Sequence, residues 1–435
     1  MPSNAPNGRR KTVKQGPLSG IRLLDLGWYG VDPEATRILS WFGAEVIRVE
    51  HESKLDYIRL NPPFAEHGKS IDYASVTDAL EANAYNNSGL YNNFNPGKLC
   101  VRLNASQPEG RALLEELITI SDVVTENFSY SVMEKWGLDY DALKRIRPDI
   151  IYVSMAGMGH TGPYRHVKTV GPVVQALSGV TFMGGLPGRE PSGWGFSYMD
   201  HQGAYHNALA VQLAVYHRNR TGQGQYIDAS TTEIGAGLTG PKTLDYTVNE
   251  RRSRRPGYPM GNRLEYQAAA PHGVYRCCGD DRWIAIAVFN DDEWESLVGA
   301  MGRPDWAMEP RFATLRQRVQ HQDDLDALMN GWTQDHDDVE LMHRLQEAGV
   351  RAGAVLKGKD VEEDPQMRHR ELFPVLDHTL IGSWPFEGIP AKLSETPGGW
   401  EWGAPMLGED NDYMYRQVLG IAADRLERLV ETGIV

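Results

Sequence analysis

The sequence predicts an α/β protein: a large Rossmann-like, doubly wound domain and a smaller α+β domain. Three features lead there. Short apolar runs recur with helical segments between them, the pattern changes near Gln267 to paired strands, and 435 residues exceed one ordinary core.

Residues 1–18 are rich in Asn, Pro, Gly, Arg and Lys, lack the apolar stretch of a signal peptide, and read as a flexible tail. Ile21 to Leu26, bounded by Gly20 and Gly27, has the composition of a buried parallel strand. A helix follows Pro33 through Ala35, Ile38, Leu39 and Phe42 and stops at Gly43. Glu45 to Glu50 is the second strand. Leu55 to Gly97, polar and rich in Asn and Tyr, reads as an irregular excursion. Alternation then resumes: strand Leu99–Leu103, helix Glu109–Ile120, strand Asp122–Thr125, helix Tyr140–Ile146 and strand Ile150–Ser154. A helix over Ala204–Tyr216 and a strand over Gln225–Ala229 complete this first part of the large domain, residues 19–230.

Residues 231–262, with the basic, Pro- and Gly-marked run Arg251 to Gly261, read as a linker. The small α+β domain is expected over 263–340. There Val274–Cys278 and Trp283–Val288 flank a turn at Gly279-Asp280-Asp281, a hairpin pattern, and helices follow at Asp292–Met301 and Asp323–Trp332. Residues 341–435 are a return linker and the C-terminal part of the large domain, ending in a helix over Asp424–Glu431.

Composition narrows the function. Hydrophobic residues at 41% with 23% charged are those of a water-soluble globular chain. A net charge of −14 argues against nucleic acid as a partner. Three cysteines make no disulfide framework and fit a reducing, cytoplasmic compartment, and no apolar run approaches the roughly 20 residues needed to cross a bilayer. The first strand is not followed by G-x-G-x-x-G, so neither a nicotinamide nor a flavin cofactor is expected. Metal chemistry has equally little support: the thirteen histidines include no H-E-x-x-H, and Cys277-Cys278 lacks zinc spacing.

The residue singled out for chemistry is Asp200, in Phe196-Ser197-Tyr198-Met199-Asp200-His201-Gln202-Gly203, at the mouth of the apolar helix. A carboxylate there is ordinarily a helix N-cap. Its company suggests more. Gly43-Ala44-Glu45-Val46-Ile47-Arg48-Val49-Glu50, Asn95-Pro96-Gly97-Lys98 and Asp122-Val123-Val124-Thr125-Glu126-Asn127-Phe128 precede it. Gly157 to Tyr164 also precedes it, and Arg220-Thr221-Gly222-Gln223-Gly224-Gln225 and Pro310-Arg311-Phe312-Ala313-Thr314 follow. In this order and spacing, from about Gly16 to the C-terminus, the chain resembles the class III CoA-transferases, the group of formyl-CoA, carnitine and benzylsuccinate CoA-transferases.

The resemblance implies two subunits threaded as interlocked rings, each with its large domain split around the small one. The partner would be an identical chain or a related subunit of a hetero-oligomer. It implies coenzyme A and acyl-CoA as substrates, with a carboxylic acid as acceptor. Asp200 would be the nucleophile, passing through an acid anhydride and an enzyme-bound thioester that must be shielded from water. Lys98, Asn127, Phe128, Lys135 and Lys168 match the family's CoA contacts. Ala268-Ala269-Ala270-Pro271-His272-Gly273 stands where a mobile glycine-rich lid is expected, with a single glycine. Two departures bear on the acceptor: Val170-Gly171 replaces a Tyr–acid pair, and Gly30 replaces a pocket glutamine. Together with Trp28, Tyr29, Trp194, Phe196 and Tyr198 these point to a bulky or aryl-substituted acceptor. Two alternatives stay open, a racemase of 2-methylacyl-CoA, whose histidine position is Val170 here, and a non-catalytic subunit.

Overall fold

A computed structural model describes residues 16–186, 188–255, 261–264 and 268–435. The expected tail lies outside them up to residue 15, as does 256–260 of the expected linker. The chain divides into two compact units. The larger takes the described residues up to Gly179, with Trp194–Thr239 and Pro365–Val435; the smaller takes Val180–Gly193 and Gly240–Asp364.

The larger unit is built on six strands: β1 (Arg22–Asp25), β2 (Glu45–Glu50), β3 (Leu99–Arg102), β4 (Val123–Glu126), β5 (Ile151–Ala156) and β6 (Tyr226–Ser230). All pair in parallel, in the order β3-β2-β1-β4-β5-β6. That is the doubly wound order, and it reverses direction between β1 and β4. Successive β1 side chains serve opposite cores, as a strand's period of two requires. Leu24, with Ile47 and Val124, packs on the helix α2 (Pro108–Thr119) through Leu113, Leu114 and Leu117. Leu23, with Val46 and Val123, packs on α1 (Val31–Trp41) and α5 (Tyr198–Thr221) through Ile38, Leu39, Val211 and Val215. Between α2 and α5 lie α3 (Tyr140–Ile146) and α4 (Gly171–Leu177).

Several boundaries differ from expectation. α5 starts at Tyr198, with Ser197 at its cap, so Asp200 lies inside the first turn and is not the N-cap. The excursion from Leu55 to Gly97 contains a hairpin, Phe64–Glu66 with Lys69–Ile71, and short helices at Val76–Glu81 and Gly89–Phe94. The expected linker 231–262 begins with two helices, α6 (Thr231–Leu238) and Gly240–Asn249. α6 belongs to the larger unit, where Thr231, Thr232 and Gly235 are buried.

In the smaller unit β7 (His272–Arg276) and β8 (Trp283–Ala287) pair antiparallel, with Val274 opposite Ala285. A third strand, β9 (Arg351–Ala354), pairs antiparallel with β8. This strand lies past residue 340, so the small unit runs on to Asp364 and the return to the larger unit comes at Pro365. Tyr275, Ile284, Ile286, Trp294, Phe312, Met329 and Leu345 form its core.

Candidate functional site

The turn leaving β1 and the turn leaving β4 meet where the sheet reverses, the place where open α/β sheets bind ligands. The backbone of Trp28 is clasped there by one side chain. Its N–H donates to Asn127 Oδ1 at 2.8 Å, and Asn127 Nδ2 donates to its carbonyl at 2.7 Å. Tyr29 adopts a left-handed φ of 60°, and its N–H donates to the Asp56 carboxylate at 3.0 and 3.1 Å. The next residue, Gly30, begins α1: its carbonyl accepts from Glu34 N–H at 2.9 Å. Phe128 stands edge-on to Trp28, with ring centres 5.8 Å apart, and its N–H donates to Glu126 Oε2 at 2.7 Å.

Asp200 sits against this loop. A methyl group on Gly30 would lie 3.2 Å from Asp200 Oδ2 and 3.3 Å from its Cβ. One on Gly171, at the start of α4, would lie 3.0 Å from Ser197 Oγ and 3.4 Å from Asp200 Oδ2. Two backbones without side chains thus flank one carboxyl group. Burial pushes the Asp200 carboxyl up to about 6; His201 and the Ser197 hydroxyl oppose the rise, and Glu34 adds to it. The adjacent His201 has Nδ1 2.7 Å from Oε2 of the buried Glu34 on α1. Glu34 holds its pH behaviour above that of an ordinary histidine, with burial working against the rise. The sequence reading did not bring Glu34 and His201 together; their meeting depends on how α1 packs on α5. Trp194, Phe196 and Tyr198 cluster at the start of α5, Trp194 and Tyr198 with ring centres 4.2 Å apart.

The remaining expected site residues divide into four groups. Asn127 and Phe128 lie at the switch point, half-buried, the Asn127 amide engaged with Trp28. Lys135 and Lys168 are exposed, as a phosphate contact requires, and Val170 is 66% exposed at the cap of α4. Lys98 is a correction. It is fully buried, its ammonium within 2.8–3.0 Å of Asp25 Oδ2, the Pro33 carbonyl, Thr36 Oγ1 and Asn95 Oδ1. Its charge neutralises Asp25, which burial alone would push up and which Lys98 and Arg48 bring below the usual range. Such a lysine has no donor left for a phosphate.

The expected lid is a second correction. Ala269 and Ala270 are buried, and His272 and Gly273 lie in β7, opposite Ala287 and Ile286. The last two residues of the expected lid are thus part of a paired strand. Among the described residues no cluster of three or more His, Cys, Asp or Glu side chains could hold a metal ion, and no helix is long and apolar enough to cross a membrane.

Comparison with known proteins gives one consistent answer. The model of a family described as CoA-transferase family III matches residues 18–411. The chain is 32% identical over 419 residues to a succinyl-CoA–D-citramalate CoA-transferase of Chloroflexus aurantiacus, covering 96% of this chain and 98% of that one. It is 28% identical over 421 residues to the β subunit of a succinyl-CoA–L-malate CoA-transferase from the same organism, covering 96% and 98%. Among solved structures, a CAIB/BAIF family protein from Brucella suis superposes with a TM-score of 0.81 at 28% identity, over 93% of this chain and 100% of that one.

Proposed function

This chain belongs to CoA-transferase family III, and we propose that it moves CoA from an acyl-CoA donor to a free carboxylic acid through covalent intermediates on Asp200. Enzymes of this family take CoA thioesters as substrates and need no metal, nicotinamide or flavin. The observation that carries the assignment to Asp200 is its carboxyl group set against two backbones without side chains, Gly30 and Gly171.

The steps balance without a net proton. An Asp200 oxygen attacks the thioester carbon, the C–S bond breaks, and CoA leaves as thiolate with an anhydride on the enzyme. The thiolate then attacks the Asp200 carbonyl carbon and releases the donor acid, leaving an aspartyl-CoA thioester. The acceptor carboxylate attacks that thioester to form a second anhydride, and the thiolate resolves it at the acceptor's carbonyl. The bond energy of the thioester is retained throughout. Lys135 and Lys168 supply cations for the CoA phosphates, with Asn127 and Phe128 lining its path. The test is to mix protein with acyl-CoA and weigh the intact chain and its peptides. An adduct on the peptide of Asp200, absent from Asp200→Ala, is expected; an unchanged mass with turnover proceeding contradicts the mechanism.

We further propose an acceptor bulkier than formate or oxalate, aryl-substituted acids included. Gly30 and Gly171 put no side chain beside the nucleophile, and Trp194 and Phe196, 49% and 54% exposed, stand at the start of its helix. The relatives are named for citramalate and malate, acids larger than oxalate but without rings. Product masses from a panel of acids decide, and exclusive use of small dicarboxylates sinks the proposal. The active form is proposed to be an interlocked pair of chains, identical or related. The malate relative is named as one of two kinds of subunit. Sedimentation of the purified chain, with its activity measured alone, tests that. Racemisation gains nothing here: Val170 has no titratable group, and His201 is engaged with Glu34.

A further inference from the structure

Two helices meet beside the proposed nucleophile. α1 brings its N-cap Gly30 and, one turn on, Glu34; α5 brings the neighbours Asp200 and His201. Asp200 abuts Gly30, while His201 Nδ1 stands 2.7 Å from Glu34 Oε2. The Glu34 side chain is 1% exposed, so water cannot solvate its charge. Its other cation is Arg37, 3.5 Å away on the same helix, which is shared with the Asn93 carbonyl at 3.0 Å and with Glu387 at 3.5 Å. His201 therefore completes the neutralisation of a buried acid.

We infer that His201, held as an imidazolium by Glu34, is a positioning residue that keeps Asp200 charged, and so able to attack, below neutral pH. This rests on the reading of Asp200 as nucleophile. The groups facing Asp200 are Ser197 and His201 from α5, Glu34 from α1, and the bare backbones of Gly30 and Gly171. Those facing His201 are Glu34 and Arg37 from α1, Glu387 from the C-terminal segment, and the rings of Phe94 and Phe196. Without the imidazolium, Glu34 would keep only Arg37, 3.5 Å away and shared, and its carboxylate would repel that of Asp200. A protonated Asp200 has no free electron pair of carboxylate strength with which to open a thioester. The imidazolium proton is never transferred, because the reaction passes negative charge only between carboxylates and thiolate. His201 thus acts through Asp200 and touches no reacting atom.

The experiment is the pH profile of kcat/KM for acyl-CoA with the full chain, alongside the mass of the Asp200 adduct. The parent should lose activity on the acid side as pH falls through about 6. His201→Gln should move that limb up by about one pH unit, costing about tenfold at the acid end with the alkaline plateau intact. His201→Lys, which restores a cation, should return the limb toward the parent's position. In a nitrogen-15 spectrum of the histidine rings, His201 should lose its proton at lower pH in Glu34→Gln than in the parent. An acid limb unmoved in His201→Gln, or a His201 titration unmoved in Glu34→Gln, overturns the inference while an adduct on Asp200 stands. Absence of that adduct from the parent sinks the reading of the nucleophile, and the inference with it.

Discussion

Gly30 and Asp200 are so close that the smallest side chain on Gly30 would stand 3.2 Å from the carboxylate oxygen. The glycine is where α1 begins, at the end of a loop that β1, Asn127 and Asp56 hold in place. The freedom of the Asp200 carboxyl is therefore set by another element's backbone.

Gly30→Ala should displace the Asp200 carboxyl by a few tenths of an ångström. A drop of about tenfold to a hundredfold in kcat, with the melting temperature nearly unchanged, is expected from misplacing a reacting group. Steady-state kinetics beside a thermal melt check this. Equal activity would mean that the carboxyl has slack the packing does not suggest.

The Asn127 clasp makes a separable prediction. Asn127→Ala removes two hydrogen bonds to the Trp28 backbone, at 2.8 and 2.7 Å, and should cost about 1–3 kcal/mol. Urea titration measures that cost. Activity should fall as well, because the same loop carries Gly30.

The lysines should behave in opposite ways. Lys98→Met leaves Asp25 without its ammonium partner in a dry site, and losing one member of a buried pair costs about 3–5 kcal/mol. Lys135→Ala and Lys168→Ala, both at exposed positions, should leave stability within about 0.5 kcal/mol and raise KM for acyl-CoA. Denaturant midpoints and KM values for the three variants separate structural from binding roles.

Acid stability should report Glu50. It is fully buried, with Arg48 Nε at 2.7 Å and Arg59 Nε at 2.9 Å, and these two cations outweigh burial and bring its carboxyl down to about 2 from 4.5. A carboxyl depressed in the fold contributes stability above its unfolded value and loses it as pH falls toward the folded one. The window is pH 4.5 down to about 2, and the loss is about 3 kcal/mol. Unfolding free energies at stepped pH should show it, and Glu50→Gln should flatten this part of the curve while lowering stability throughout.

What was legible in the sequence followed from local pattern. The run Arg22-Leu23-Leu24-Asp25, with apolar residues on both faces, belongs to a strand buried on both sides, and the helix stop at Gly43 needs its φ of 99°. The helix beginning near Asp200 was legible, though the place of Asp200 within the first turn was not, because Ser197 and Asp200 both suit a helix start. Lys98 was misread since its burial depends on Asp25, which is 73 residues away in the chain. His272 and Gly273 read as a loop because the run before them, Ala268 to Pro271, carries no strand alternation. Pairing with β8 decides the matter. The Glu34–His201 contact spans two helices far apart in the chain and leaves no trace in local spacing.

The most direct test follows oxygen through the reaction. With an acceptor acid labelled by oxygen-18 in its carboxylate, the second anhydride leaves one labelled oxygen on Asp200, and the next cycle hands an oxygen from Asp200 to the departing donor acid. The account predicts that Asp200 and then the released donor acid become heavier by one oxygen-18. A donor acid that stays unlabelled over many turnovers, with Asp200 unlabelled too, would contradict it.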